Sequence, residues 1–272
     1  TKPRPFPQYP GITYNTNGRS HIYNALMLKA HRRLANGPIF QVAYTWARDI
    51  GDDSGPEFWF DRSRERGPDE LTPNQRFTAS VIYELPIGKG RKLWTNMPKA
   101  AEYAFGGWEL AVTSYQQTGQ HLTPQMNFPD PTGTKYTSSG RATVSGYRPD
   151  VIGDPNNGPR TAQQWFDTSV FVRPPDGRPG NAGRGIIVGP GTNVVHASVH
   201  KTFYLGDRER GPRLTLGLLA NNVFNHINYG NPSTNLSSSG VGQITSSGGG
   251  NDSNPGDLAA ARSMRLRLRI EF

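Results

Sequence analysis

Apolar and polar residues alternate with a period of two along much of this chain, the signature of strands with one greasy and one wet face. Between Tyr23 and Leu34, the positions Leu26, Leu28, Ala30 and Leu34 share one face, while Ala25, Met27, Lys29, His31 and Arg33 take the other. Asn36-Gly37 follows, a dipeptide favoured in tight hairpin turns. The next run sets Phe40, Val42, Tyr44 and Trp46 against Gln41, Ala43, Thr45 and Ala47, so the two runs predict a hairpin. Similar faces recur at Phe77, Ala79, Val81, Tyr83 and Leu85, at Val195, Ala197, Val199 and Phe203, and at Leu214, Leu216, Leu218 and Ala220. A weaker run surrounds Trp108, Leu110 and Val112. The chain closes on the clearest case, with Met264, Leu266, Leu268, Ile270 and Phe272 against Arg265, Arg267, Arg269 and Glu271. Seven strong strands and two or three weaker ones are predicted, and no segment has a convincing helical period.

Long stretches rich in Gly, Pro, Asn and Ser separate these runs: Asp49 to Pro73, Thr123 to Thr192, and Asn228 to Ala261. Asn36-Gly37 and the stretch from Gly206 to Pro212 are short by comparison. Short turns alternating with long loops is the asymmetry of a barrel with one elaborated rim.

Composition decides what covers the greasy face. Leu, Ile, Val and Phe make up only about 20% of the 272 residues, at the lower edge for a chain that must build its own soluble core. A second protein layer over the apolar faces would need more apolar area than remains once the loops are subtracted. Lipid removes that need, because the bilayer supplies the apolar partner and strands of about 9–11 residues suffice to cross it. Tyr44, Trp46, Trp108, Phe203 and Tyr204, near strand ends, fit an interfacial aromatic girdle. On this reading Leu26, Leu28, Val42, Tyr44, Trp46, Leu214, Leu216, Leu266, Leu268 and Ile270 face lipid. Lys29, His31, Arg33, Arg265, Arg267, Arg269 and Glu271 face the lumen, where the cations attract an anionic solute, hold a plug domain, or simply keep the wall wet.

The net charge of +9 carries no block of six basic residues, so nucleic acid is not an expected partner. With no Cys, the chain has no disulfide framework, thiolate metal site or cysteine nucleophile. No run of 18 apolar residues predicts a helical span. His196 and His200 lie about 13 Å apart by strand rise, too far to share one metal. His21, His31, His121 and His226 show no ligand spacing, and Asp49, Asp52 and Asp53 lack the terminal Glu of a calcium loop. Asn251 to Asp257 reads the same way, and Gly177, Gly180 and Gly183 have no strand–helix context for a phosphate. Asp69-Glu70 sits in a loop with no apolar pocket. No cofactor is expected, and the chain is not expected to be an enzyme.

Arg4-Pro5-Phe6-Pro7-Gln8-Tyr9 followed by Tyr23-Asn24-Ala25-Leu26 resembles a stretch of TonB-dependent receptors, in the Oar-like branch with a carboxypeptidase-regulatory-like domain. Gly180-Asn181-Ala182-Gly183-Arg184, Gly189-Pro190-Gly191 and Lys201-Thr202-Phe203 resemble the late barrel of that branch. So do Asn221-Asn222-Val223-Phe224-Asn225-His226 and Tyr229-Gly230-Asn231-Pro232. The strand ending at Phe272 is similar to the signal read by the barrel assembly machinery. The resemblance implies an all-β fold: an antiparallel transmembrane β-barrel portion, about 8–10 strands of a barrel of about 22, with long extracellular loops. Residues 1–272 would be the C-terminal part of that barrel, with plug domain and TonB box absent from this chain. The implied function is energised uptake of a scarce nutrient (iron chelate, oligosaccharide or peptide) across the outer membrane of a Gram-negative-type bacterium. The implied partners are the remaining barrel strands and plug, the TonB energy-transducing complex through the missing N-terminal part, the barrel assembly machinery, and outer-membrane lipid. The alternative is a structural or surface protein that assembles through strand edges without transport.

Overall fold

A computed structural model describes residues 17–34, 37–52, 57, 61–89, 91–133, 136–137, 140–141, 143–204, 211–247 and 261–272. Seven strands form one antiparallel meander: β1 (His21–Arg33), β2 (Ile39–Gly51), β3 (Gln75–Glu84), β4 (Trp108–Gln117), β5 (Thr192–Tyr204), β6 (Arg213–Asn221) and β7 (Ser263–Glu271). Each pairs with its neighbour in the chain, and a two-residue strand, Gly67–Pro68, adds to the end of β2. The sheet is open among the described residues, with β1 and β7 as its edges. Among the described residues the sheet thus has seven long strands and the two-residue eighth, against the expected count of about 8–10.

The register joins the alternating runs into two faces, because opposed residues of an antiparallel ladder point the same way. Leu26 opposes Trp46 and Leu28 opposes Tyr44. Tyr44 opposes Phe77, Val81 opposes Val112, and Leu110 opposes Val199. Val199 meets Leu218, which meets Leu266 on β7. One face is therefore predominantly apolar across all seven strands, with interruptions that include Arg32, Gln75, Ser114, Gln116, Asn193 and Lys201, and the reverse is predominantly polar.

Little of that apolar face is covered. Leu28, Trp46, Leu216, Leu268 and Ile270 are exposed, and Leu266 is 88% exposed. The packed core lies elsewhere. Phe166, Phe171 and Ile187 are buried, with the partly buried Leu122, Val151, Trp165, Leu236 and Val241 packed against them, all outside the seven long strands; on the sheet itself Tyr115 and Val194 form a smaller buried pair.

Residues 52–74, 118–191 and 222–262 connect strands at one rim; residues 34–38, 85–107 and 205–212 connect them at the other. The first rim carries a folded cap rather than structureless loops. His121–Leu122 pairs with Ile187–Val188, Asp150–Val151 with Phe171–Val172, and Met126–Pro129 with Thr143–Tyr147. The third connection is stitched to the second by Trp165 N–H to Gly242 O (2.8 Å) and Leu236 N–H to Gln125 O (2.7 Å).

At the opposite rim the β1–β2 turn closes with Gly37 N–H to Leu34 O at 3.1 Å. A side chain at Gly37 would place its Cβ 2.9 Å from the Leu34 Cβ, so close approach requires glycine there. Asn36, residues 206–210 and the whole of Arg4 to Tyr9 lie outside the described residues. The 85–107 connection holds a seven-residue helix, α1 (Lys99–Phe105), which periodicity did not predict because two turns are too few to show a period.

Candidate functional site

Of the proposed lumen-facing residues, Lys29, His31 and Arg33 share a face with Arg265, Arg267, Arg269 and Glu271 by register, across all seven strands. They do not meet: the first three stand on one sheet edge and the last four on the other. At the β7 edge Glu271 takes Arg213 at 2.9 Å and Arg269 at 2.7 Å. These pairs are half exposed, so they set register more than stability. Next along the face, His200 Nδ1 lies 3.4 Å from Glu109 Oε1. Its ring occupies the space above Gly217, where a Cβ would come within 2.5 Å, and Arg267 opposes that glycine across the β6–β7 ladder. Glu84 faces Glu109 in the same row. The polar face is a lattice of Glu, His, Thr, Ser and Arg rather than a purely basic wall.

The ten apolar candidates, Leu26, Leu28, Val42, Tyr44, Trp46, Leu214, Leu216, Leu266, Leu268 and Ile270, all fall on the opposite face. Trp108 and Phe203 join them near the short-turn rim, while Trp46 stands towards the cap. Tyr204 departs from the expected girdle: it opposes Arg213 and so belongs to the polar face. Phe272, just past β7, is fully exposed.

Carboxylates in the cap are occupied by protein donors. The buried Arg148 donates from Nε to Glu57 (2.8 Å), from Nη2 to Glu65 (3.0 Å) and from Nη1 to the Arg64 carbonyl (2.6 Å). Asp150 accepts both Arg178 Nη groups (2.7 and 2.6 Å) and the Asn181 N–H (2.8 Å). Those donors favour the charged form, so the Arg178 guanidinium first, and the Asn181 amide after it, hold the Asp150 carboxyl below its ordinary value of 3.8. A depressed folded value gives stability that is present above the unfolded value and lost as pH falls through the folded one. Amides of Val151 and Asn181 are therefore expected to lose hydrogen-exchange protection only below about pH 4, and Asp150→Asn to abolish that dependence. Unchanged acid sensitivity in the variant would remove this pair from the account.

The aspartates weighed for calcium prove to be engaged. Asp49 is a buried residue of β2, not a loop residue, and accepts Thr72 Oγ1 (2.8 Å) and His21. Asp52 accepts the Ser20 N–H and Arg62, each at 2.6 Å. Asp53 and residues 251–257 lie outside the described residues. Asp69 caps a turn by accepting from Leu71 and Thr72 N–H, and Glu70 takes the Thr123 hydroxyl (3.0 Å). His196 and His200 stay on one strand, and no metal-ligand cluster occurs among the described residues. Arg64 donates to the Gly180 carbonyl and a Cβ at Gly180 would strike the Arg148 and Pro149 backbone, so Gly180 serves cap packing, while Gly177 sits at an exposed turn with φ +103°.

Two features escaped the sequence reading. Lys201 falls on the apolar face, opposite Trp108 and Leu216, and is buried; a strict count of alternate positions through Val199 and Phe203 marks it. Asn222 and Asn225 adopt left-handed φ of +48° and +52°. The Asn222 side-chain amide donates to His226 O (2.8 Å) while its Oδ1 accepts the His226 N–H (3.0 Å). That turn redirects the chain from β6 into the cap, giving the Asn221–His226 motif a local structural reason.

A protein-family model described as an outer membrane beta barrel domain matches residues 1–265. No curated protein and no solved structure matches the chain. No helix among the described residues is long and apolar enough to cross a membrane, which leaves crossing by strands untouched.

Proposed function

Because this chain belongs to the outer membrane β-barrel domain family and so resides in the outer membrane of a Gram-negative-type bacterium, we propose that it is wall and outer cap of a TonB-dependent receptor. The wall carries the apolar face to lipid and the polar lattice to the lumen. The observation that carries this reading is the broad apolar face with many exposed side chains, Leu28, Trp46, Leu216, Leu266, Leu268 and Ile270 among them: in water a patch of that extent would drive association, whereas hydrocarbon covers it without further protein. The edges β1 and β7 pair with further strands of the same receptor, since lipid cannot satisfy an unpaired ladder. The cap, built from all three long connections, makes the first contact with an iron chelate, oligosaccharide or peptide. A plug supplied by the rest of the receptor moves when TonB pulls on it, and no catalytic step is assigned to this chain.

Uptake tests the reading. Cells producing the whole receptor and offered ferric chelates, oligosaccharides and oligopeptides should accumulate one of them only while the inner-membrane proton gradient is intact. Accumulation that survives a protonophore overturns energised transport. A product that is soluble or filamentous without detergent overturns the wall itself, and would favour assembly through the open edges of β1 and β7.

The resemblance of the last strand gives Phe272 a role in assembly. Deleting Phe272 should reduce the heat-modifiable, folded form in the outer membrane several-fold while total synthesis holds. An unchanged folded fraction would dismiss the role.

A further inference from the structure

The connection between β3 and β4 is ordered although it has almost no core. Leu93 N–H donates to Pro86 O (2.7 Å), Gly88 N–H to Leu93 O (3.1 Å), and the Lys89 N–H to the Glu102 carboxylate (2.8 Å). Helix α1 buries none of its residues. Leu93, Trp94, Tyr103 and Phe105 are each about half exposed, and the Trp94 and Phe105 rings lie 5.9 Å apart. Trp94 also holds φ at +55°, a strained conformation for a large side chain. A seven-residue helix with no buried face is not stable in water by itself. Something must cover this ledge.

Its position says what. The Tyr103 ring stacks on Phe203 at 6.5 Å, and Trp108 Nε1 donates to Ala104 O at 2.9 Å. Lys201 Nζ donates to the Gly106 carbonyl and lies 5.4 Å from the Trp108 ring centre and 5.2 Å from that of Phe203. Phe203 and Trp108 belong to the apolar face, so the ledge prolongs that face beyond the end of the strands. Exposed Lys92 and Lys99 flank it, while Arg91 is paired with Glu84 at 2.5 Å.

We propose that residues 85–89 and 91–107 form an interfacial anchor that docks on the anionic headgroup layer of the membrane at the short-turn rim. Trp94, Tyr103 and Phe105 sink into the headgroup–acyl boundary, and Lys92 and Lys99 meet headgroup phosphates. Lys201 is a positioning residue: its ammonium, held between two rings and a carbonyl, fastens the helix to the sheet. The inference rests on the wall reading above.

These 272 residues have no Cys, so each cysteine placed here is unique within them, and in the whole receptor reconstituted in vesicles the label is read against the same receptor without that cysteine. A fluorophore on Ala104→Cys should be quenched more strongly by nitroxide at the lipid headgroup than at the acyl-chain end. Aqueous iodide should quench it about threefold less than a label on Ile152→Cys of the cap. Adding Lys92→Gln and Lys99→Gln should lower headgroup quenching about threefold in vesicles containing phosphatidylglycerol, and leave it unchanged in phosphatidylcholine alone. Iodide quenching equal to that at Ile152, or no quenching by lipid or iodide (a protein cover), overturns the anchor; equal quenching in both vesicle types overturns its charge recognition. A label on Leu266→Cys separates the two levels: if it ignores acyl-chain nitroxide the wall reading falls, and if it responds while Ala104 does not, only the anchor falls.

Discussion

Leu266→Arg is expected to lower the stability of the folded protein in lipid vesicles by about 2–4 kcal/mol, measured by reversible denaturant unfolding against the unchanged chain. Leu266 ends, at the β7 edge, the apolar row that runs through Leu110, Val199 and Leu218; it lies near the middle of its own strand and its side chain is 88% exposed. In a water-soluble sheet, a residue so exposed could become arginine within about 0.5 kcal/mol of neutrality. In hydrocarbon the guanidinium loses its hydration with no partner to replace it. The size of the effect therefore reports the solvent on that face. Arg267→Leu, one residue along and on the polar face, should change stability by less than about 1 kcal/mol. Near-neutral behaviour of Leu266→Arg would mean water, or a removable partner, covers the apolar row.

Arg148→Ala should cost about 3–5 kcal/mol in the cap, because it strands two carboxylates. The Arg148 side chain is 3% exposed, those of Glu57 and Glu65 6% and 3%, and each acid loses its guanidinium donor in the variant. Hydrogen exchange is the suitable readout, since the cap can open while the sheet stays folded: protection at Arg148, Val151 and Phe171 should fall together, and protection along β5 to β7 should persist. Arg148→Lys should recover little, as a single ammonium cannot match three directions at once. Replacing Arg148, Glu57 and Glu65 together by Met or Leu should recover much of the loss. Full protection in Arg148→Ala would show that the cap stands without this cluster.

The parts legible in the sequence are those whose cause is local. Alternation over nine to thirteen residues placed the seven long strands within a few residues, because one side chain in two must meet a different medium. The outer-membrane barrel followed from the same pattern and from scarce apolar residues, and the family match agrees at that level. The cap was opaque for the opposite reason. Arg148 finds Glu57 and Glu65 at separations of 91 and 83 positions, and no periodicity connects them. Asp49 was misplaced because the reading ended β2 at Ala47, while the ladder continues to Gly51 opposite His21. Helix α1 and its aromatic ledge were missed because their order comes from Glu102, Phe203 and Lys201 rather than from a repeating pattern.

The meander has one further consequence. Every ladder between the seven long strands joins consecutive ones, so residues 118–191 are an insertion within a simple hairpin, with β4 and β5 still in unbroken register beneath it. Lengthening such a linkage tenfold raises its closure entropy by only about 2 kcal/mol. Natural variation can therefore enlarge, shrink or exchange what stands on that rim at small thermodynamic expense while the staves below keep their pairing, so a lineage of these proteins can diversify one end without redesigning its strands.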